Sequence, residues 1–209
     1  MKGGRHESLH SVDRQCMNLT FKEDKAIAAL SQLCHFADNK LNHYFASKLM
    51  YLFDREVLLE TGEPAFFGTF FSLPKGPIVS EANYGISSCG DPEFNLPYDW
   101  TDYFTLNQKI NEISQKSPET TINEGLLSDE DINRLRRLYD KYRYAKKGVL
   151  EGDIKNLPEH IDLNPSERRR LLSYRDVLEA NGFTPEQASE LLQEIVYDDC
   201  FRSTLELSY

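Results

Sequence analysis

Residues 40–61 read KLNHYFASKLMYLFDREVLLET, and Gly62, Glu63 and Pro64 follow. Leu41, Phe45, Leu49, Leu52 and Leu59 recur at intervals of three, four or seven, the spacing of one helix face. Tyr44, Met50, Tyr51, Phe53 and Leu58 widen that face until most of the circumference is apolar. A helix of this kind has no solvated side to spare, so it is predicted to stand at the centre of the core. Gly62 is placed to close it, because only glycine enters the left-handed conformation cheaply.

Upstream, Thr20 and Glu23 have the spacing of a capping box. Ala26, Ile27, Leu30, Leu33, Cys34 and Ala37 then give a helix with one buried stripe, broken at Asp38 and Asn39. Residues 1–18 are polar, lack the apolar stretch of a secretory signal and are expected to form a flexible arm. Downstream, Phe66, Phe67, Phe70 and Phe71 lie between Pro64 and Pro74 and predict a short strand. Lys75, Gly76 and Pro77 predict a turn into a short helix reaching about Tyr84. Residues 87–97 read as loop, and residues 101–106 as a second strand that pairs antiparallel with the first.

After a polar connector over 114–125, Ser128 and Asp131 start a helix whose stripe is Ile132, Leu135, Leu138 and Tyr142. A short helix over 149–157 follows. In the tail, Asn164, Pro165, Ser166 and Glu167 have the pattern that opens a helix, and Asn181 and Gly182 the pattern that closes one. Thr184, Pro185, Glu186 and Gln187 repeat the opening. The predicted class is mainly α (α+β): a helical domain over 19–160 with a small two- or three-stranded antiparallel sheet, and a C-terminal helical hairpin over 161–209.

The chain has 209 residues, 24 Lys and Arg against 34 Asp and Glu, and a net charge of −10. That length suits one domain with an appendage. The balance opposes non-specific binding to nucleic acid or anionic membrane and favours a partner with a basic surface. No run of 18 apolar residues predicts a membrane span. Cys16, Cys34, Cys89 and Cys200 lack a paired spacing, which suggests reduced thiols in the cytoplasm. Charge is unevenly spread. Residues 50–125 hold 4 basic and 12 acidic side chains, whereas residues 133–147 hold 7 basic side chains against Asp140 alone. Arg134, Arg137 and Lys141 in that second stretch have two readings: a solvated face with a cationic helix end, or a local patch for an acidic partner surface or for nucleic acid, as in a transcriptional regulator.

No catalytic constellation stands out. There is no phosphate-binding glycine loop, nucleophile elbow or paired Cys-x-x-Cys. Cys34, His35 and His43 straddle a helix boundary and are not read as metal ligands. No cofactor is expected.

The central block does resemble a known family. Lys48-Leu49-Met50-Tyr51-Leu52-Phe53-Asp54-Arg55-Glu56 is similar to the signature helix of the Panacea domain, the SocA-like antitoxin domain related to phage-associated GepA proteins. Gly62-Glu63-Pro64, Phe67-Gly68-Thr69-Phe70 and Lys75-Gly76-Pro77-Ile78 follow at the family's spacing, and Leu127-Ser128-Asp129-Glu130 resembles its later helix start. Leu157-Pro158-Glu159-His160 resembles its Leu-Pro-Glu-Trp ending, with histidine for the aromatic residue. The histidine that often precedes that ending has no counterpart; Lys155 and Asn156 stand there.

The resemblance implies a mainly helical antitoxin without catalytic activity, which neutralises a protein toxin by direct binding. One member instead delivers its toxin to a protease. The signature residues are then Lys48, Tyr51, Asp54, Gly62, Pro64, Gly76 and Pro77, and turn geometry and core hydrogen bonds account for them without a ligand. Toxin contact is expected on variable surfaces: Phe67, Phe70 and Phe71, the acidic loop with Asp99, Trp100 and Asp102, and the terminal hairpin. Self-association is a further expectation.

Overall fold

Nine consecutive residues of the central helix, from Ala46 to Asp54, are buried, and Leu49, Met50, Tyr51 and Phe53 are fully so. This helix, α2 (His43–Thr61), is preceded by α1 (Glu23–Phe36) and by a two-residue strand, β1 (Leu41–Asn42). The structure is a computed structural model that describes residues 19–89, 100–117, 125–146 and 148–206, with side chains to residue 197. The proposed arm over residues 1–18 lies outside the described residues.

Both ends of α2 are fixed locally. The Asn42 side chain accepts the Phe45 N–H at 3.1 Å, and Gly62 closes the helix at φ +80°. Asp38 and Asn39, both at positive φ, make the break before it, as the sequence predicted. The predicted capping box of α1 does not form. The Lys22 N–H bonds instead to the Phe66 carbonyl, which holds the entering chain extended, and the Glu23 carboxylate accepts the Trp100 indole N–H.

Two three-stranded antiparallel sheets flank the helices. One, in the order β1-β5-β4, joins β1 to the hairpin of β4 (Phe104–Asn107) and β5 (Glu112–Gln115), with Leu41 opposite Ile113. The other, in the order β3-β2-β6, places β2 (Phe70–Ser72) between β3 (Ile78–Val79) and β6 (Arg170–Leu172). The two predicted strands therefore belong to different sheets and do not pair with each other. The turn at Gly76 feeds β3, and only then α3 (Ser80–Ser88). A single helical turn, α4 (Trp100–Tyr103), occupies the start of the second predicted strand.

Helix α5 (Asp129–Tyr142) opens with the predicted capping box, Ser128 and Asp131 each bonding to the other's backbone. It buries Leu135, Leu138 and Tyr142 against α1 and α2. Helix α6 (Val149–Lys155) follows.

The tail departs most from expectation. Residues 165–172 do not make a helix. Leu172 is buried opposite Phe70, and β6 supplies the hydrogen bonds that the outer edge of β2 would otherwise lack. Only α7 (Tyr174–Ala180) and α8 (Pro185–Glu206) form the hairpin. Val177, Leu178, Leu192 and Ile195 join the same hydrophobic core as α2, and Leu191 packs directly over Gly62. The helix-rich class with small antiparallel sheets matches the sequence reading.

Candidate functional site

Four ionisable groups of α2 face inward. Lys48, Tyr51, Asp54 and Arg55 lie three or four residues apart along one side of the helix, so they form a ladder through the core. Together the rungs tie α2 to three other segments, those of Gly76, Phe66 and Glu159.

Lys48 is 2% exposed. Its ammonium donates to the Gly76 carbonyl at 2.6 Å and the Pro77 carbonyl at 3.0 Å. Burial pulls its pKa down to about 7, with Lys155 and Lys75 adding to the effect and Glu151 opposing it. The turn can present two carbonyls because Gly76 sits at φ +89°, and a Cβ there would overlap the Ile154 side chain. Two signature motifs 28 residues apart are thus the two halves of one contact.

Asp54 is fully buried and accepts the Phe66 N–H at 2.9 Å. Its second oxygen, Oδ2, has no hydrogen-bond partner. Burial raises the carboxyl to about 7, against the lowering effect of the Phe66 and Ala65 amides. Pro64, also buried, leads the chain into this contact after Gly62 turns it.

Glu159 gathers the remaining rungs. Its carboxylate accepts the Tyr51 hydroxyl at 2.9 Å, two donors of Arg55, and the Asn181 amide at 3.0 Å. Arg55 also donates to Asn181 Oδ1 at 2.7 Å. Burial alone would raise the Glu159 carboxyl, but the Arg55 hydrogen bond and charge hold it below its ordinary value. Burial and the adjacent carboxylate push the Tyr51 hydroxyl well above its usual range. Next along, the His160 ring lies 3.3 Å from Ser72 Oγ on β2.

The expected core role of Tyr51 and Asp54 is therefore realised, although Tyr51 bonds a carboxylate rather than backbone. Arg55, Glu159 and Asn181 entered the sequence reading only as parts of motifs or of a helix close, not as site residues. The available signal was Arg55 itself, a cation set between Asp54 and Glu56 on a largely buried helix.

The aromatic residues expected at a partner surface are mostly core. Phe67 is 4% exposed, and the Lys22 ammonium covers its ring at 4.0 Å. Phe70 meets Tyr51 and Tyr174 edge-on at 5.1 and 5.0 Å. Trp100 is 1% exposed, packed where a Cβ on Gly85 would otherwise project. A short strand in a small domain buries its aromatics before it displays them. Only Phe71, half-buried beneath Arg169 at 4.8 Å, and the exposed Asp102 remain accessible. Asp99 lies outside the described residues.

The basic stretch on α5 is largely neutralised. Arg134 is 3% exposed and ion-pairs with Glu60, with Glu56 at 3.8 Å and with Glu130 at 3.8 Å. Arg137 pairs with Glu130 at 3.2 Å and Lys141 with Asp153 at 3.3 Å. These three do not form the open cationic patch that the sequence suggested, because acidic side chains of α2, α5 and α6 pair with them.

Among the described residues, no group of three or more His, Cys, Asp or Glu side chains could hold a metal ion. Cys34 is a buried free thiol, pushed up to about 12 by burial. No helix among the described residues is long and apolar enough to cross a membrane.

No curated protein and no solved structure matches the chain. The family model described as antitoxin SocA-like, Panacea domain matches residues 47–151, which is half of its length. That span begins one residue before Lys48 and includes Tyr51, Asp54, the Gly76–Pro77 turn and the capped start of α5. On this match, and on signature residues that meet one another in space, the chain belongs to the antitoxin SocA-like, Panacea domain family.

Proposed function

We propose that this chain is the antitoxin of a toxin–antitoxin pair and neutralises a cognate protein toxin by binding it directly. One observation carries the reading: the chain is a member of an antitoxin domain family, and its signature side chains are engaged in internal contacts. The signature then specifies a scaffold, and toxin choice falls to surfaces outside it. In this reading the chain is not an enzyme, needs no cofactor and acts in the cytoplasm.

The outer face of α8 is the surface that fits a basic partner. Glu186, Glu190, Glu194 and Tyr197 follow at helical spacing and all are exposed, Tyr197 by 71%. A row of carboxylates ending in an aromatic ring offers steering charge and an anchor together.

The test is co-expression with the product of the neighbouring gene. Restored growth and a co-purifying complex are expected. Charge reversal at Glu186, Glu190 and Glu194 together should weaken both while the fold persists. A neighbour that is harmless alone, or one that stays toxic and unbound, would overturn the proposal. Toxin lifetime separates the mechanisms: an unchanged lifetime supports steric inhibition, and a shortened one supports delivery to a protease.

A further inference from the structure

Where the first turn of α2 meets the end of α5 and the start of α6, the surface opens into a cleft of about 770 Å³. That size falls within the range of small-molecule sites, roughly 300–1,000 Å³. Lys40, His43, Lys75, Arg143 and Lys146 line it, with Glu151 as its sole carboxylate. Glu151 is already paired with Lys155 at 2.8 Å, and Arg143 with Asp140 at 3.3 Å. Among the described residues, no carboxylate forms an ion pair with Lys40, Lys75 or Lys146. In a chain of net charge −10 this is a local inversion of sign.

The cleft also has aromatic walls, made by Tyr44, Phe45, Tyr139 and Tyr142. Phe45 meets Tyr139 edge-on at 6.1 Å, which fixes both rings. A neighbouring cavity of about 320 Å³ shares His43, Tyr44 and Lys75 and adds the hydrogen-bonded pair of Ser47 and Asn83, 2.9 Å apart. Lysines outside any ion pair, flat rings and neutral polar groups therefore converge on one place.

We propose that this cleft binds a nucleotide, with its phosphates among Lys40, Lys75 and Lys146 and its base against the tyrosine wall. Stacking of a base on an aromatic side chain contributes about 1–3 kcal/mol and tolerates different bases. The surrounding charge favours a mononucleotide over a nucleic-acid strand. A mononucleotide keeps its charge within the cationic lining, whereas a strand would run beyond it over a chain of net charge −10. An acidic peptide would satisfy the lysines but leave the aromatic wall unused. This site is separate from the acidic face of α8 and does not depend on the antitoxin reading.

The experiment is calorimetric titration of the full chain at physiological salt with ATP, GTP, tripolyphosphate, adenosine and a polyglutamate peptide. Saturable micromolar binding of ATP or GTP is expected, with tripolyphosphate and adenosine each at least about tenfold weaker. Lys75→Glu combined with Lys146→Glu should weaken nucleotide binding by about tenfold or more with the melting temperature unchanged, since both lysines are exposed. Tyr44→Ala should weaken the nucleotide while leaving tripolyphosphate unaffected. Three results would overturn the proposal: no saturation by either nucleotide in the millimolar range, tripolyphosphate binding as tightly as ATP, or polyglutamate binding more tightly than either nucleotide.

Discussion

Two sets of cationic side chains near α2 have opposite fates. Along the ladder, Lys48 is buried and Arg55 largely so, and each is met by oxygen atoms from a distant part of the chain. At the cleft, Lys40, Lys75 and Lys146 are exposed and keep their charge available to a ligand. The contrast separates folding from recognition. The family's signature lies on the ladder, where a side chain is constrained by several segments at once. The features by which this chain is expected to recognise something lie where few internal contacts constrain them.

The sharpest way to break the ladder is Glu159→Ala. It removes the acceptor shared by Tyr51, Arg55 and Asn181 and leaves the Arg55 charge largely buried without its partner. Breaking a buried pair from one side costs about 3–5 kcal/mol. Urea denaturation should show that loss, and a change below about 1 kcal/mol would mean that the network is not a structural anchor.

The ladder shows how far the sequence could be read. Helix α2 and its glycine cap were legible because a 3.6-residue stripe and a C-terminal glycine are local signals. The start of α5 was legible for the same reason. The partners of the ladder were not, since Glu159 lies 108 residues from Tyr51 and nothing local announces the contact. The tail failed in another way. Asn164 to Glu167 does form a local turn, with Glu167 accepting the Asn164 N–H at 3.1 Å, but the edge of β2 then drew Leu172 into a strand. Phe67, Phe70 and Trp100 were assigned to the surface because composition shows that a segment is aromatic, not which way it faces. Of the candidate sites, the signature residues were legible as structural groups. The cleft was not, because its lining is drawn from α2, the Gly76 turn, α5 and α6.

A second test uses pH, because Asp54 and Lys48 titrate in adjoining windows. Asp54 has an ordinary pKa near 3.8 and a folded value of about 7. Between these, the folded state holds a proton that the unfolded chain has lost, so stability falls as pH rises through the window. Lys48 moves from an ordinary 10.5 down to about 7. Between 7 and 10.5 the unfolded chain holds the extra proton, so stability rises with pH. The two contributions together are least favourable near neutrality. Asp54→Asn should therefore gain about 2–4 kcal/mol relative to wild type between pH 4.5 and 7.5. A difference that stays flat across that range would show that Asp54 does not titrate as described.

A smaller effect is expected from Gly76→Ala, which puts a side chain at φ +89° and against Ile154. The cost should be about 1–3 kcal/mol. Because the same turn supplies both Lys48 acceptors, that cost should shrink in a Lys48→Met background. Equal cost in both backgrounds would mean that the turn and the lysine are energetically independent.

The smallest effects test whether location or charge decides the outcome on α5. Arg134 and Arg137 are three residues apart on one helix, and both pair with Glu130. Arg134 is 3% exposed and its stem fills space against α2, whereas the Arg137 side chain is 60% exposed. Arg137→Ala should change stability by no more than about 0.5 kcal/mol, because an exposed pair exchanges one hydrated contact for another. Arg134→Ala should cost about 1–2 kcal/mol, mostly as lost packing, since the carboxylates of Glu60 and Glu130 remain exposed to water. Raising the salt concentration should erase the Arg137 effect and leave most of the Arg134 effect, because screening acts on exposed charge and not on a filled contact. If both substitutions respond to salt alike, Arg134 belongs with the surface charges, and burial has not separated two arginines of one helix.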